Sequence, residues 1–227
     1  MQSEKAQATW FYDGMGWLET HRKQSMQAAA VVVVLALLVS YYFYSHNAKE
    51  DAAGAGFSQL ILNRATPEDY VNFQAANHGT QAAPKALLMA GEEYFAIGKY
   101  PEAQAQFQKL RQEYRNSPFV SQASLGIAAS LDAAGKVDDA ISAYSDLTHL
   151  SGDVASLQAE FALGRLYEVK GQLDKSVENF DAVNQAAGNS TMGQESFVRA
   201  MEIREAHPEL VKAAPAVPTA SVMTSGK

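Results

Sequence analysis

A pattern of glycine, small residue and aromatic ring returns three times along this chain at nearly constant spacing. Gly98, Ala103 and Phe107 are followed by Gly135, Ala140 and Tyr144, and then by Gly171, Ser176 and Phe180. The period is 37 and then 36 residues. A fixed period of this size predicts a solenoid, because each unit is too small to bury its apolar face alone and stacks on its neighbours instead. Such stacks present surface to other proteins more readily than they enclose a reaction.

Each period reads as two helices joined by a tight turn. In the first, Gly91 and Tyr94 stand three apart and share one face of a helix. Ala103, Phe107 and Leu110, spaced by four and three, give the next helix its apolar stripe. Gly98 lies between them, where a helix can end on a left-handed residue at little steric cost. Ala103 is small where the two helices would cross closely, and Phe107 is large where a gap would otherwise open. Ala128, Leu131, Gly135, Ala140, Tyr144 and Leu147 repeat the pattern, as do Gly164, Tyr167, Gly171, Ser176, Phe180 and Val183.

In the runs AGEEYFAIGKYPEAQAQFQKL, GIAASLDAAGKVDDAISAYSDL and ALGRLYEVKGQLDKSVENFDAV the chain resembles the tetratricopeptide repeat family. Its period exceeds that family's usual length of about 34 residues, with the extra residues around EYRNSP and THLSGD. Leu131 stands where tyrosine is usual and Ser176 where alanine is usual. The resemblance implies an all-α solenoid whose first helices line a concave groove. Carried over by register, the groove positions here are Lys85, Leu88, Glu92 and Phe95, then Gln122, Leu125 and Asp132, then Gln158, Phe161, Arg165 and Glu168. Leu88, Phe95, Leu125 and Phe161 would form an apolar ladder flanked by charges. It either packs between repeats or grips apolar segments of a partner, where a few large side chains would dominate binding.

Upstream, Met26 to Tyr44 is a run of 19 residues without a charge. That length suits an α-helix crossing the hydrocarbon core of a bilayer. His21, Arg22 and Lys23 precede the run, and Tyr41, Tyr42 and Tyr44 crowd its far end like an interfacial belt. Beyond it, Lys49 is followed at once by Glu50 and Asp51. This bias predicts the amino-terminal segment inside and the remainder outside. A cleaved signal sequence would have a shorter apolar core ending at small residues; here bulky aromatics end the run, so a retained anchor is expected.

The expected layout is a cytoplasmic segment over residues 1–25, a transmembrane helix over 26–45 and a linker with a degenerate helical hairpin over 46–82. Three repeats follow over 83–188, then a capping helix over 189–207 and a tail rich in Pro, Ala, Ser and Thr over 208–227. Trp10, Phe11, Trp17 and Leu18 in the first segment suit either an unstructured tail or a stretch lying at the membrane surface. The anchor helix can run on into AKEDAAGAGFSQLILN, which has few breakers. Thr66, Pro67, Glu68 and Asp69 form a helix start, with a hydroxyl cap, proline and early acids. In the capping helix, Phe197, Met201 and Ile203 are read as sharing one side.

Charge and composition exclude several functions. The formal net charge of −7 opposes binding to nucleic acid, whose backbone calls for a basic face. The absence of cysteine removes disulfides, thiolate metal sites and a cysteine nucleophile. His21, His46, His78, His149 and His207 are scattered, and the neighbouring acids Glu92 and Glu93, or Asp138 and Asp139, point in different directions on a helix. No nucleophile and base stand together, so no enzyme, cofactor or metal is expected.

A short inside segment, one anchor and a helical repeat domain, carried by WLETHRKQ, GFSQLI and APKALLMAGEEYFAIGKYPEAQAQFQKL, resemble the YfgM family of bacterial inner-membrane proteins. That resemblance implies a periplasmic repeat domain and a non-enzymatic scaffold or chaperone-like accessory of the Sec translocon. Its expected partners are translocon subunits, a membrane-bound periplasmic chaperone of the peptidyl-prolyl isomerase type, or exported chains. A second reading, an adaptor in cell-envelope or outer-membrane assembly, rests on GKYPEAQAQFQKLRQEYRNSP, which also looks like repeats in such proteins.

Overall fold

A computed structural model describes residues 21–149 and 154–210. The expectations for Trp10, Phe11, Trp17, Leu18 and the tail beyond Leu210 lie outside the described residues. The helices are α1 (Arg22–Leu62), α2 (Pro67–Ala76), α3 (Ala82–Ala96), α4 (Tyr100–Glu113) and α5 (Val120–Ala133). They continue with α6 (Val137–Thr148), α7 (Val154–Val169), α8 (Leu173–Ala187) and α9 (Thr191–Ala206), followed by a 3-10 turn over Pro208–Leu210. The fold is all-α, and no strand occurs among the described residues.

The chain divides into two compact units, Met1–Gln59 and Leu60–Lys227. In the first, α1 is one uninterrupted helix; at about 1.5 Å per residue, its 41 residues extend roughly twice the thickness of a bilayer core. Its apolar window has no buried residue. Val31 to Val34, Leu35, Leu37, Leu38 and Val39 are all exposed. A helix apolar all round, with no face turned to a protein core, is long and apolar enough to cross a membrane.

The second unit stacks helices in chain order from α2 to α9, each packed on the next. Three turns hold the pairs together, and all three have one geometry. Gly98, Gly135 and Gly171 adopt φ of 77°, 74° and 69°, a region that side-chain-bearing residues enter only at a cost. Around them, the N–H groups of Lys99, Lys136 and Gln172 donate to the carbonyls of Tyr94, Leu131 and Tyr167, each at 2.9 Å. Those of Gly98, Gly135 and Gly171 donate to Phe95, Asp132 and Glu168. This paired closure satisfies helix-end carbonyls and ends α3, α5 and α7 identically.

The aromatic position of the repeat is a wedge. Phe107 on α4 lies between two glycines: a Cβ placed on Gly91 of α3 would stand 2.4 Å from its ring, and one on Gly126 of α5 would stand 2.5 Å away. Glycine is therefore required on both sides, and the ring is buried with Leu87, Leu110 and Ile127 in the main core. Phe180 repeats this against Gly164. Ser176 has its own reason for replacing alanine. It is fully buried, and its hydroxyl donates to the Gly164 carbonyl at 2.8 Å, so its polar atom stays satisfied where α7 and α8 cross.

α2 opens with the expected cap. Thr66 accepts from the Asp69 N–H, and the Asp69 carboxylate accepts from the Thr66 N–H, closing a capping box. Gln74 of α2 is buried; its amide donates to the Tyr114 hydroxyl at 3.0 Å, and its carbonyl accepts from Lys109 Nζ at 2.8 Å.

Candidate protein-binding groove

The first helices α3, α5 and α7 form a row, and side-chain pairs link one to the next. Gln122 donates to Glu92 at 2.8 Å across α5 and α3, and Arg165 pairs with Asp132 at 3.3 Å across α7 and α5. Between these helices opens a cleft of about 550 Å³. Its walls include Glu92, Phe95, Leu125 and Gln158, and Phe107 and Gly126 form part of the floor.

Glu92, Phe95, Gln122, Leu125 and Gln158, five of the positions selected by register, line this cleft. Lys85 is exposed and lines a separate depression with Tyr114, Arg115 and Phe119. Leu88 is buried, with 7% of its surface exposed, inside the core cluster. Phe161 is half-buried and meets Phe180 edge-on at 5.7 Å. The ladder is therefore divided: Leu88 belongs to the core, whereas Phe95 and Leu125 pack on the core from one side and wall the cleft from the other. Asp132, Arg165 and Glu168 are engaged in ion pairs, Glu168 with Arg199 of α9 at 3.5 Å. Pro118, Ser121, Ala129 and Val154 also line the cleft, and the register did not select them.

Electrostatically the cleft is subdued. Burial raises the Glu92 carboxyl above its usual value of 4.5, against the lowering effect of the Gln122 hydrogen bond. Tyr144, packed behind the row, is pushed up to about 12 by burial and then by the charge of Asp132, and stays neutral. An apolar wall whose charges are held by one another suits the side chains of another protein better than a small charged substrate. Among the described residues, no group of three or more His, Asp or Glu is placed to hold a metal ion.

A tetratricopeptide repeat family model matches residues 88–155 and again 130–190. Those segments run from within α3 to the end of α8 and contain the three glycine turns, and this part of the chain is an array of tetratricopeptide repeats. The nearly identical TPR-like repeats from Podosopora anserina share its fold at 16% identity and a TM-score of 0.51, covering 72% of this chain and 88% of theirs. The type III secretion chaperone SycD of Yersinia enterocolitica, solved with a peptide of the translocator YopD, aligns at 24% identity and a TM-score of 0.46 over 54% of this chain and 89% of its own. PcrH from Pseudomonas aeruginosa aligns at 22% and 0.45 over 54% of this chain and 89% of its own. No curated protein matches the chain.

One expectation needs correcting. Phe197, Met201 and Ile203 do not share a side of α9. The buried stripe is Gly193, Ser196, Ala200 and Ile203, whereas Phe197 is 51% exposed and Met201 41% exposed. α9 approaches α8 so closely that a Cβ on Gly193 would fall 2.1 Å from the Ala187 carbonyl oxygen. Only glycine fits at that end of the seam, which widens enough to bury Ile203 at the other, while Phe197 and Met201 are turned out.

Proposed function

We propose that this chain is a membrane-anchored, non-enzymatic scaffold whose repeat domain captures segments of other proteins beside a bacterial inner-membrane translocon. The observation that carries the reading is the cleft between consecutive first helices, walled by Phe95 and Leu125 and floored by the fixed wedge of Phe107. It is preformed by core packing, so a partner segment meets a surface that needs little reordering. α1 supports the anchor, and the cluster His21, Arg22 and Lys23 ahead of its apolar run supports an inside amino terminus with the repeats on the periplasmic face. The resemblance to the YfgM family narrows the site of action to the Sec translocon. Its partners would be translocon subunits, a peptidyl-prolyl isomerase-type chaperone or exported chains.

Affinity purification of the full chain from inner membranes in mild detergent tests this reading. Translocon subunits should co-purify, and Phe95→Ala with Leu125→Ala should reduce them without changing the helical circular dichroism spectrum. Recovery of outer-membrane assembly factors instead would move the protein to envelope assembly. Undiminished capture by the folded double variant would remove the groove from the mechanism.

A further inference from the structure

The repeat does not stop at α8. Thirty-six residues beyond Gln158, Phe161, Gly164 and Arg165 stand Gln194, Phe197, Ala200 and Met201. Phe197 is therefore the fourth member of the series Leu88, Leu125, Phe161, and Ala200 the fourth of Gly91, Ala128, Gly164. The structure places α9 accordingly. Its buried Ala200 and Ile203 correspond to the buried Gly91 and Tyr94 of α3. Arg199 reaches Glu168 as Arg165 reaches Asp132, so α9 joins the row by the same kind of link. At the fourth turn position the glycine is replaced by His207 with φ of −133°, and Pro208 begins a 3-10 turn. α9 is thus a first helix whose pair is not completed by a glycine turn.

Along this series exposure rises. Leu88 is 7% exposed, Leu125 and Phe161 are intermediate, and Phe197 is 51% exposed beside Met201 at 41%. The basic charges on this stretch are already engaged: Arg199 with Glu168 and Glu195, and Arg204 with Asp181. Glu205, one turn beyond Met201, and Glu202, one turn beyond Val198, border the patch with negative charge. Three side chains about half exposed, Phe197, Val198 and Met201, present on the order of 250 Å². A stable pair of folded proteins needs roughly 800 Å² from each partner, so this patch is too small for a second copy and sized for a short segment.

We infer that Phe197 and Met201 form the terminal rung of the capture face, taking an uncharged, apolar, extended stretch of a partner chain. This inference rests on the groove reading above and adds a site to it. A few large side chains carry much of the energy of such capture, and Phe197 still has apolar surface for a partner to cover, whereas Leu88 is already taken up by the core.

The test uses the full chain in lipid nanodiscs and a fluorescent twelve-residue peptide of leucine, alanine and asparagine, followed by anisotropy with empty nanodiscs subtracted. Phe197→Ser with Met201→Ser should weaken peptide binding about tenfold or more and leave the melting temperature in place. An aspartate-substituted peptide should bind poorly to either form. Unchanged binding in that variant, alongside a loss in Phe95→Ala with Leu125→Ala, would overturn the terminal rung and leave the groove standing. Unchanged binding in both would overturn both. Tighter binding on deletion of residues 211–227 would assign the face to this chain's own tail, and loss of a dimer in sedimentation on mutating Phe197 would assign it to a second copy. Either result overturns the inference.

Discussion

α1 and α9 both hold large apolar side chains away from any core, and the two differ in how those side chains are distributed. From Met26 to Tyr44 every residue of α1 is exposed, so no direction around the helix is set apart as a seam. α9 has a seam of Gly193, Ser196, Ala200 and Ile203, and its exposed Phe197 and Met201 lie one turn apart. A helix without a seam asks for a solvent as apolar as itself, which lipid supplies. A helix with one seam and one open stripe is docked by the first and offers the second to something of limited size. Exposure alone does not separate the two cases, and the periodicity of the buried residues does.

Breaking this contrast should have its largest effect on α1. Val33→Arg with Leu37→Arg puts two charges near mid-span, each costing roughly 2.5–3.5 kcal/mol, and should release the protein from membranes in a flotation assay. The same exchange at Phe197 and Met201 should leave flotation unchanged. The wedge of the repeats comes next. Phe107→Ala should cost about 3–5 kcal/mol and lower the melting transition of the repeat unit sharply. Phe197→Ala, at the exposed end of the row, should change stability by no more than about 0.5 kcal/mol. Gly91→Ala replaces a helix glycine by a better helix former, worth about 1 kcal/mol, yet sets a methyl against the Phe107 ring, and overpacking costs about 1–3 kcal/mol. Net destabilisation is the expected result in a denaturant titration.

The smallest effect concerns Glu92. Its carboxyl is raised by burial, so the fold favours the protonated form. The stability this contributes is complete below the usual carboxylate value of 4.5 and is lost as pH rises through the raised value. Because the group is partly exposed and screened by solvent, the effect should stay within about 0.5 kcal/mol. Melting curves across that window should show a slight loss with rising pH, and Glu92→Gln should flatten it.

Much of the fold was written in local signals. Gly98, Gly135 and Gly171 mark turns that only a left-handed residue completes, and Thr66 with Asp69 spells out a capping box. These are short-range effects, decided by residues a few positions apart. The facing of α9 was not legible in that way. Large apolar side chains ordinarily point inward, and nothing within α9 announces that its neighbour passes too close for them. The signal was present at longer range, in the 36-residue step from Phe161 to Phe197, which assigns Phe197 to the lining rather than the seam. The second glycine against Phe107, Gly126, was hidden for the same reason, since its partner lies on the preceding helix. Of the groove positions, the register found the walls Phe95, Leu125 and Gln158, but it could not tell that Leu88 is taken up by the core.

A photo-crosslinking amino acid placed at Gln122, on the row of first helices, and separately at Glu178, on the second helix α8, would report which surface meets other chains in the cell. Adducts with partner proteins from position 122 and none from 178 are expected if the face formed by α3, α5, α7 and α9 does the capturing. Adducts of equal yield from both positions, or from 178 alone, would contradict it.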